Sequence, residues 1–318
     1  MSSKTQPKRP PGGGPSRRVG GARERRRRPT PFVLWGALAV VLVAVLGGLY
    51  AARAGGAGAG TQSYVGEDLH SLVVDPSDPN RVLVGGHQGA AMSADGGATW
   101  RPIDGLAGAD PMGLVMDPRD RRLLYAAGHP GFRRSLDGGG TWSDRNGTLP
   151  STDVHGLGMD PRHPDVLYAY VVGQGILRSA DRGAHWAVVN TSQSLMGPIL
   201  VDPRVGTTLH LADLQGGFQE SVDGGRTWHQ VGSIPNGMAM WVSQDQHRPQ
   251  TFYAASGGIW RSDDGGRTWQ ALAGAPGGVT TVAVAPSDPR ILYAAALQGT
   301  GAKVFRSVDG GQHWQARN

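Results

Sequence analysis

The side chains in this sequence best suited to chemistry are histidines and aspartates, and they recur at linked spacings. Asp68, Asp110 and Asp153 stand 42 and 43 residues apart. His70 and His155 follow Asp68 and Asp153 by two residues, and Met112 takes that place after Asp110. His87 and His129 are again 42 residues apart. Imidazole, carboxylate and thioether are sensible ligands for zinc or copper. The same groups could instead form a polar pocket for a sugar or a peptide. Two of the carboxylates at roughly 5–10 Å would meet the minimum for glycoside hydrolysis, which makes Asp68, Asp110 and Asp153 candidate catalytic acids. A solvated polar rim is the fourth reading.

These spacings matter only if the chain brings the residues together, and a repeat predicts that it does. The pattern S-x-D-x-G-x-[TH]-W occurs six times, with its tryptophans at 100, 142, 186, 228, 269 and 314. Each unit has a first strand, usually ending in Asp-Pro, then a turn and an apolar second strand. A third strand leads into the S-x-D motif and a fourth carries its tryptophan. Four strands in about 42 residues is the size of a propeller blade. The expected fold is all-β: a six-bladed β-propeller of four-stranded blades over residues 67–318. The abundance of turn-formers, 51 Gly and 22 Pro, suits it.

The repeat also separates scaffold from site. Asp95, Asp137, Asp181, Asp223, Asp264 and Asp309 recur in every copy and read as turn staples, since an Asp side chain can accept hydrogen bonds from its own hairpin. A site is expected where copies differ. First strands are expected to start at His70, Met112, His155, Gly197, Met238 and Thr280. Two residues earlier, the first three blades carry Asp68, Asp110 and Asp153, whereas the others carry Leu195, Asn236 and Gly278. At the end of the second strand only blades one and two have histidine, His87 and His129. Strand one begins and strand two ends on the same face. Asp68, His70, His87, Asp110, Met112, His129, Asp153 and His155 are therefore predicted to share one rim, with the four histidines as the metal candidates. Asp213 could extend that rim, and Glu220 has no evident role. His163, His185, His247 and His313 read as structural or surface residues.

The six motifs are those of the Asp-box, or BNR, repeat. Over residues 66–318 the chain resembles the superfamily of bacterial sialidases, the sortilin ectodomain and photosystem II assembly-factor propellers. It is similar above all to bacterial membrane-tethered BNR proteins often labelled glycosyl hydrolases. The resemblance implies the fold and leaves activity open. The sialidase constellation is missing. No Arg-Ile-Pro-type motif precedes the first box, and Arg101-Pro102-Ile103 follows one. The only glutamates after residue 30 are Glu67 and Glu220. Tyr125, Tyr168, Tyr253 and Tyr293 share one repeat position, as do Arg134, Arg178, Arg261 and Arg306, so both sets read as scaffold. The expected function is a ligand-binding, protein-interaction or assembly module for a protein, peptide or glycan. The alternatives are a glycosyl hydrolase or a metal-binding propeller.

Charge and composition bound the rest. The net charge of +6 comes from residues 1–30, which hold ten Lys and Arg against Glu24; that +9 leaves −3 for the remainder. The later sequence has no basic stripe with interleaved aromatics, so nucleic acid is not an expected partner. With no cysteine, disulfides and thiolate chemistry are excluded. Residues 31–50 are apolar and uncharged, long enough as a helix to cross a bilayer. The basic tail before them predicts a cytoplasmic N-terminus and a propeller outside, in a single-pass bacterial membrane protein. This gives a cytoplasmic tail over 1–30, a signal-anchor over 31–52 and a Gly/Ala-rich linker over 53–66. Cleavage near Ala54, with secretion, is the alternative.

Overall fold

In a computed structural model of the chain, the structure describes residues 68–299 and 301–317. The expected tail, signal-anchor and linker lie outside these residues. So does Thr61–Val65, a possible extra edge strand for blade six. Among the described residues no helix is long and apolar enough to cross a membrane.

Six sheets of four strands follow one another along the chain, each an antiparallel meander. Blade one is Ser71–Asp75, Asp78–Gly86, Gly89–Ser93 and Arg101–Pro102. The second strands Leu167–Val171, Leu209–Ala212 and Phe252–Ala255 are buried throughout, as strands covered on both faces by neighbouring sheets are. The innermost strands of consecutive blades touch all the way round, including blade six against blade one. The fold is the expected six-bladed propeller.

The Asp boxes hold the hairpins as anticipated. Asp95 accepts from Ser93 Oγ at 2.8 Å, from the Thr99 backbone N–H at 2.9 Å and from Thr99 Oγ1 at 2.6 Å. Ser93 Oγ in turn accepts from the Gly97 N–H, and the Trp100 indole donates to the Gly97 carbonyl. The hydrogen bond from Thr99 leads in holding the Asp95 carboxyl down at about 2. In boxes three and six a histidine replaces the threonine and makes the same contact, His185 to Asp181 at 2.6 Å and His313 to Asp309 at 2.7 Å.

The box tryptophans are fixed where blades meet. The buried apolar side chains form six clusters, and each spans one seam between neighbouring blades. Trp100 sits in the seam of blades six and one, Trp186 in that of two and three, and the other four in the remaining seams. Among the described residues no strand is exchanged across the seam between blades six and one, and the four described strands of blade six all come from residues 279–317. Thr280 Oγ1 donates to the Leu69 carbonyl, Tyr293 OH to the Pro79 carbonyl and Arg306 to Asn80.

Two first strands begin later than expected, at Leu200 rather than Gly197 and at Trp241 rather than Met238. The Gly197 and Ile199 N–H groups donate to His155 and Leu157 of blade three, and Pro198 between them has no N–H to give. That stretch therefore pairs with the neighbouring blade before it joins its own. Before Met238, Asn236 and Gly237 both hold positive φ, 66° and 83°, so the chain is still turning there.

Two substitution experiments check this account. Trp100→Ala is expected to cost about 3–5 kcal/mol in chemical denaturation, the usual range for a buried aromatic. Tyr293→Phe removes a ring-closing hydrogen bond and should cost about 1 kcal/mol. The equivalent Tyr253 hydroxyl is buried without a partner, so Tyr253→Phe should be neutral or slightly stabilising.

Candidate functional site

The candidate residues sit where the first strand of each blade starts and the second ends. In blade two, Asp110 opens its strand (Asp110–Met116) and is the direct cross-strand partner of His129, the last residue of Leu124–His129. A glycine precedes each strand-two histidine. A Cβ on Gly86 would lie 1.9 Å from the Asp68 carbonyl oxygen, and one on Gly128 would lie 1.9 Å from that of Asp110. Only glycine lets these backbones close so tightly, and this contact holds each acid beside the histidine that follows. Ser71, fully buried, donates to the Pro111 carbonyl at 2.6 Å and pins blade two against blade one.

Seven side chains from blades one to three form one continuous network. His87 Nδ1 lies 3.2 Å from Asp68 Oδ2. The His70 and His87 rings meet edge to face at 4.6 Å. Asp110 crosses to blade one, with Oδ1 2.6 Å from His70 Nε2, while its Oδ2 is 3.2 Å from His129 Nδ1. The other nitrogen of His129 is 2.8 Å from Asp153 Oδ1. His155 Nε2 lies 2.8 Å from that same oxygen and 3.4 Å from His129 Nε2. Two triads emerge, Asp68/His70/His87 and His129/Asp153/His155, each with three potential metal-ligand atoms within 4.8 Å of one another. Zinc and copper are the transition metals these donors suit.

The charges are mutually supporting. Burial pushes the Asp110 carboxyl up, but hydrogen bonds with His129 and His70 outweigh it and hold the group well below the usual carboxylate range. The hydrogen bond with His87 likewise lowers Asp68 against its burial. His129 is raised to about 9, first by Asp110 and, against burial, by Asp153. His87 is raised by Asp68, while burial lowers His155. Two carboxylates held this firmly in the ionised form are poor general acids, which need a raised pKa.

Not every expected member of the rim belongs to it. Met112 is buried where the pairing of its strand skips a residue, and among the described contacts none ties its sulfur to the cluster. Asp213 does not extend the rim. It is a turn staple, accepting from the Gln215 and Gly217 N–H groups and from the Gln219 side chain. Glu220 has partners that sequence reasoning missed, His210 and His229, each at 3.1 Å. This pair occupies the cross-strand position where blade two places Tyr125 opposite Arg134. His163 and His247 hold turns, through Asp160 and the Pro286 carbonyl. The six box aspartates, Asp137, Asp223 and Asp264 included, stay at their turns. The central cavity of about 210 Å³ is lined by inner-strand residues such as Leu72, Leu114, Leu157 and Val242, and none of the seven network residues reaches it.

The network predicts an alkaline limb in stability. Protonation of His129 and His87 stabilises the fold fully below the ordinary histidine value of 6.5, and that contribution is lost as pH rises, for His129 through about 9. The thermal midpoint of the wild type should therefore fall between pH 6.5 and 9.5, and His129→Gln should flatten that fall. Differential scanning calorimetry across this range checks it, and parallel curves would refute the assignment.

The BNR/Asp-box repeat family matches residues 260–271, the fifth box. No curated protein matches the chain in sequence. Solved structures do match in shape. A GH74 xyloglucanase from Xanthomonas campestris is 20% identical with a TM-score of 0.58, and a GH74 enzyme from Niastella koreensis is 18% identical with a TM-score of 0.60. In both, 79% of this chain is covered but only 45% of the enzyme, so the chain spans less than half their length. YCF48 bound to D1 peptide is 18% identical with a TM-score of 0.50, over 80% of this chain and 83% of that one. At these identities the likeness is one of fold. Together with the six stapled hairpins, it shows the chain to be a six-bladed β-propeller built from Asp-box repeats.

Proposed function

We propose that this protein is a non-catalytic binding propeller whose ligand-binding face is the rim of blades one to three, and that this face takes up a divalent transition-metal ion, zinc or copper. The observation that carries this is the convergence of four imidazoles and two carboxylates into two triads of ligand geometry, with the Asp110 carboxylate between them. At the matching positions blades four to six have Leu195, Asn236 and Gly278. An uncharged apolar run over 31–52 supports a membrane tether with the propeller outside the cytoplasm, where a surface-displayed metal or ligand site would meet its solute. A glycan-cleaving role is less well supported, because Asp68 and Asp110 are held ionised.

Metal analysis of the full-length protein, purified in mild detergent and equilibrated with zinc or copper, tests the reading. Bound metal is expected, and His155→Ala should reduce it; no metal above background would end the proposal. A panel of glycosides is expected to show no turnover beyond that of an Asp110→Asn/Asp153→Asn double variant. Turnover lost in that variant would establish the hydrolase instead.

A further inference from the structure

The two triads are not equivalent, and one carboxylate outside both of them touches each. Asp68, His70 and His87 all come from blade one. His129 comes from blade two, and Asp153 and His155 from blade three. Asp110 stands between them with one oxygen turned to each: Oδ1 is 2.6 Å from His70 Nε2, and Oδ2 is 3.2 Å from His129 Nδ1. Resting on the metal-binding reading above, we propose that the rim holds two metal ions rather than one, and that Asp110 serves both. It is a direct ligand beside His70 and an outer carboxylate that orients His129.

The geometry of the second triad is the more complete. Its donor atoms are 2.8, 2.8 and 3.4 Å apart. Zinc bonds of 2.0–2.1 Å in a tetrahedron place ligand atoms roughly 3.3 Å apart, so Asp153 need withdraw by only about half an ångström to admit an ion. With Nε2 of His129 on the metal, its Nδ1–H would donate to Asp110 Oδ2. A carboxylate behind a ligating histidine in this way fixes its tautomer and strengthens it as a ligand. Three protein donors leave a fourth position open for a water or an exogenous donor.

The first triad has one buried member, His70, beside the half-exposed Asp68 and His87. Asp110, with Oδ1 2.6 Å from His70 Nε2 and Oδ2 3.9 Å from His87 Nε2, is the fourth donor we assign to that ion. Four protein donors would fill a tetrahedral ion's coordination, as in structural metal sites. Three carboxylates with neutral imidazoles nearly balance the charge of two divalent ions. The ions would then differ in character, one held by four protein donors from blades one and two and one with an open position across the seam of blades two and three.

Stoichiometry decides between one ion and two. The full-length chain in detergent, stripped with a chelator and reloaded with zinc, should carry two ions by native mass spectrometry. His87→Ala should leave one, and so should His155→Ala. Asp153→Asn, at a half-exposed position, gives an independent variant for the second triad should His155→Ala fold poorly. Asp110→Asn should weaken both ions, by roughly 10–100-fold at the second triad, the usual effect of losing an outer carboxylate. A cobalt-loaded His87→Ala protein isolates the second triad, and adding Asp110→Asn there should change the cobalt visible spectrum although Asp110 does not touch that ion. A single zinc in the wild type would overturn this inference and leave the metal-binding reading standing. No zinc at all would end both. An unchanged cobalt spectrum would overturn the double role of Asp110.

Discussion

The tryptophan wedge at each seam is the contact on which the rest of this molecule depends. A blade is a small twisted sheet with two apolar faces, and a lone four-stranded sheet cannot bury either. The six apolar clusters all lie between blades rather than within them. Each includes one box tryptophan, and each tryptophan is tethered to its own box by the hydrogen bond from its indole to a glycine carbonyl. The turn and the seam are thus one device. The aspartate sets the hairpin, the hairpin aims the ring, and the ring fixes the neighbouring blade.

The site borrows this rigidity at the opposite end of the blades. The wedges set how closely first strands approach, and Gly86 and Gly128 let strand one close on strand two just where the histidines begin. Asp110 can then reach blade one, and His129 can reach blade three. The polar links described between the two triads thus pass through blade two. A ligand drawing the seven side chains together would add to the seams at two of the six joints. Binding and local stability are coupled by construction.

Most of this could be read from the sequence because the repeat supplies its own alignment. The period gave the fold, and subtracting it exposed Asp68, His70, His87, Asp110, His129, Asp153 and His155, which the structure does bring together. What could not be read depends on register and on contacts between blades. Met112 occupies the position equivalent to His70 and His155, but the irregular pairing around it in blade two takes it out of the cluster. Asp213 has the right charge near the right face but is absorbed by its own turn. Glu220 looked orphaned because its partners, His210 and His229, lie on the strands either side of it. The late starts at Leu200 and Trp241 arise from two backbone bonds to the preceding blade and from a backbone turn, which no single-strand pattern encodes.

The join between blades six and one is chemically of the same kind as the other five. Among the described residues no strand is lent across it, and it is made of an apolar cluster and a few side-chain hydrogen bonds. Each blade is therefore, among the described residues, one continuous stretch of sequence. A blade can be duplicated, deleted or exchanged as a cassette without splitting any sheet between distant parts of the gene. A ring with this architecture can diversify one blade at a time, and the histidine-rich arc of blades one to three beside three plain ones has the form such a history would leave.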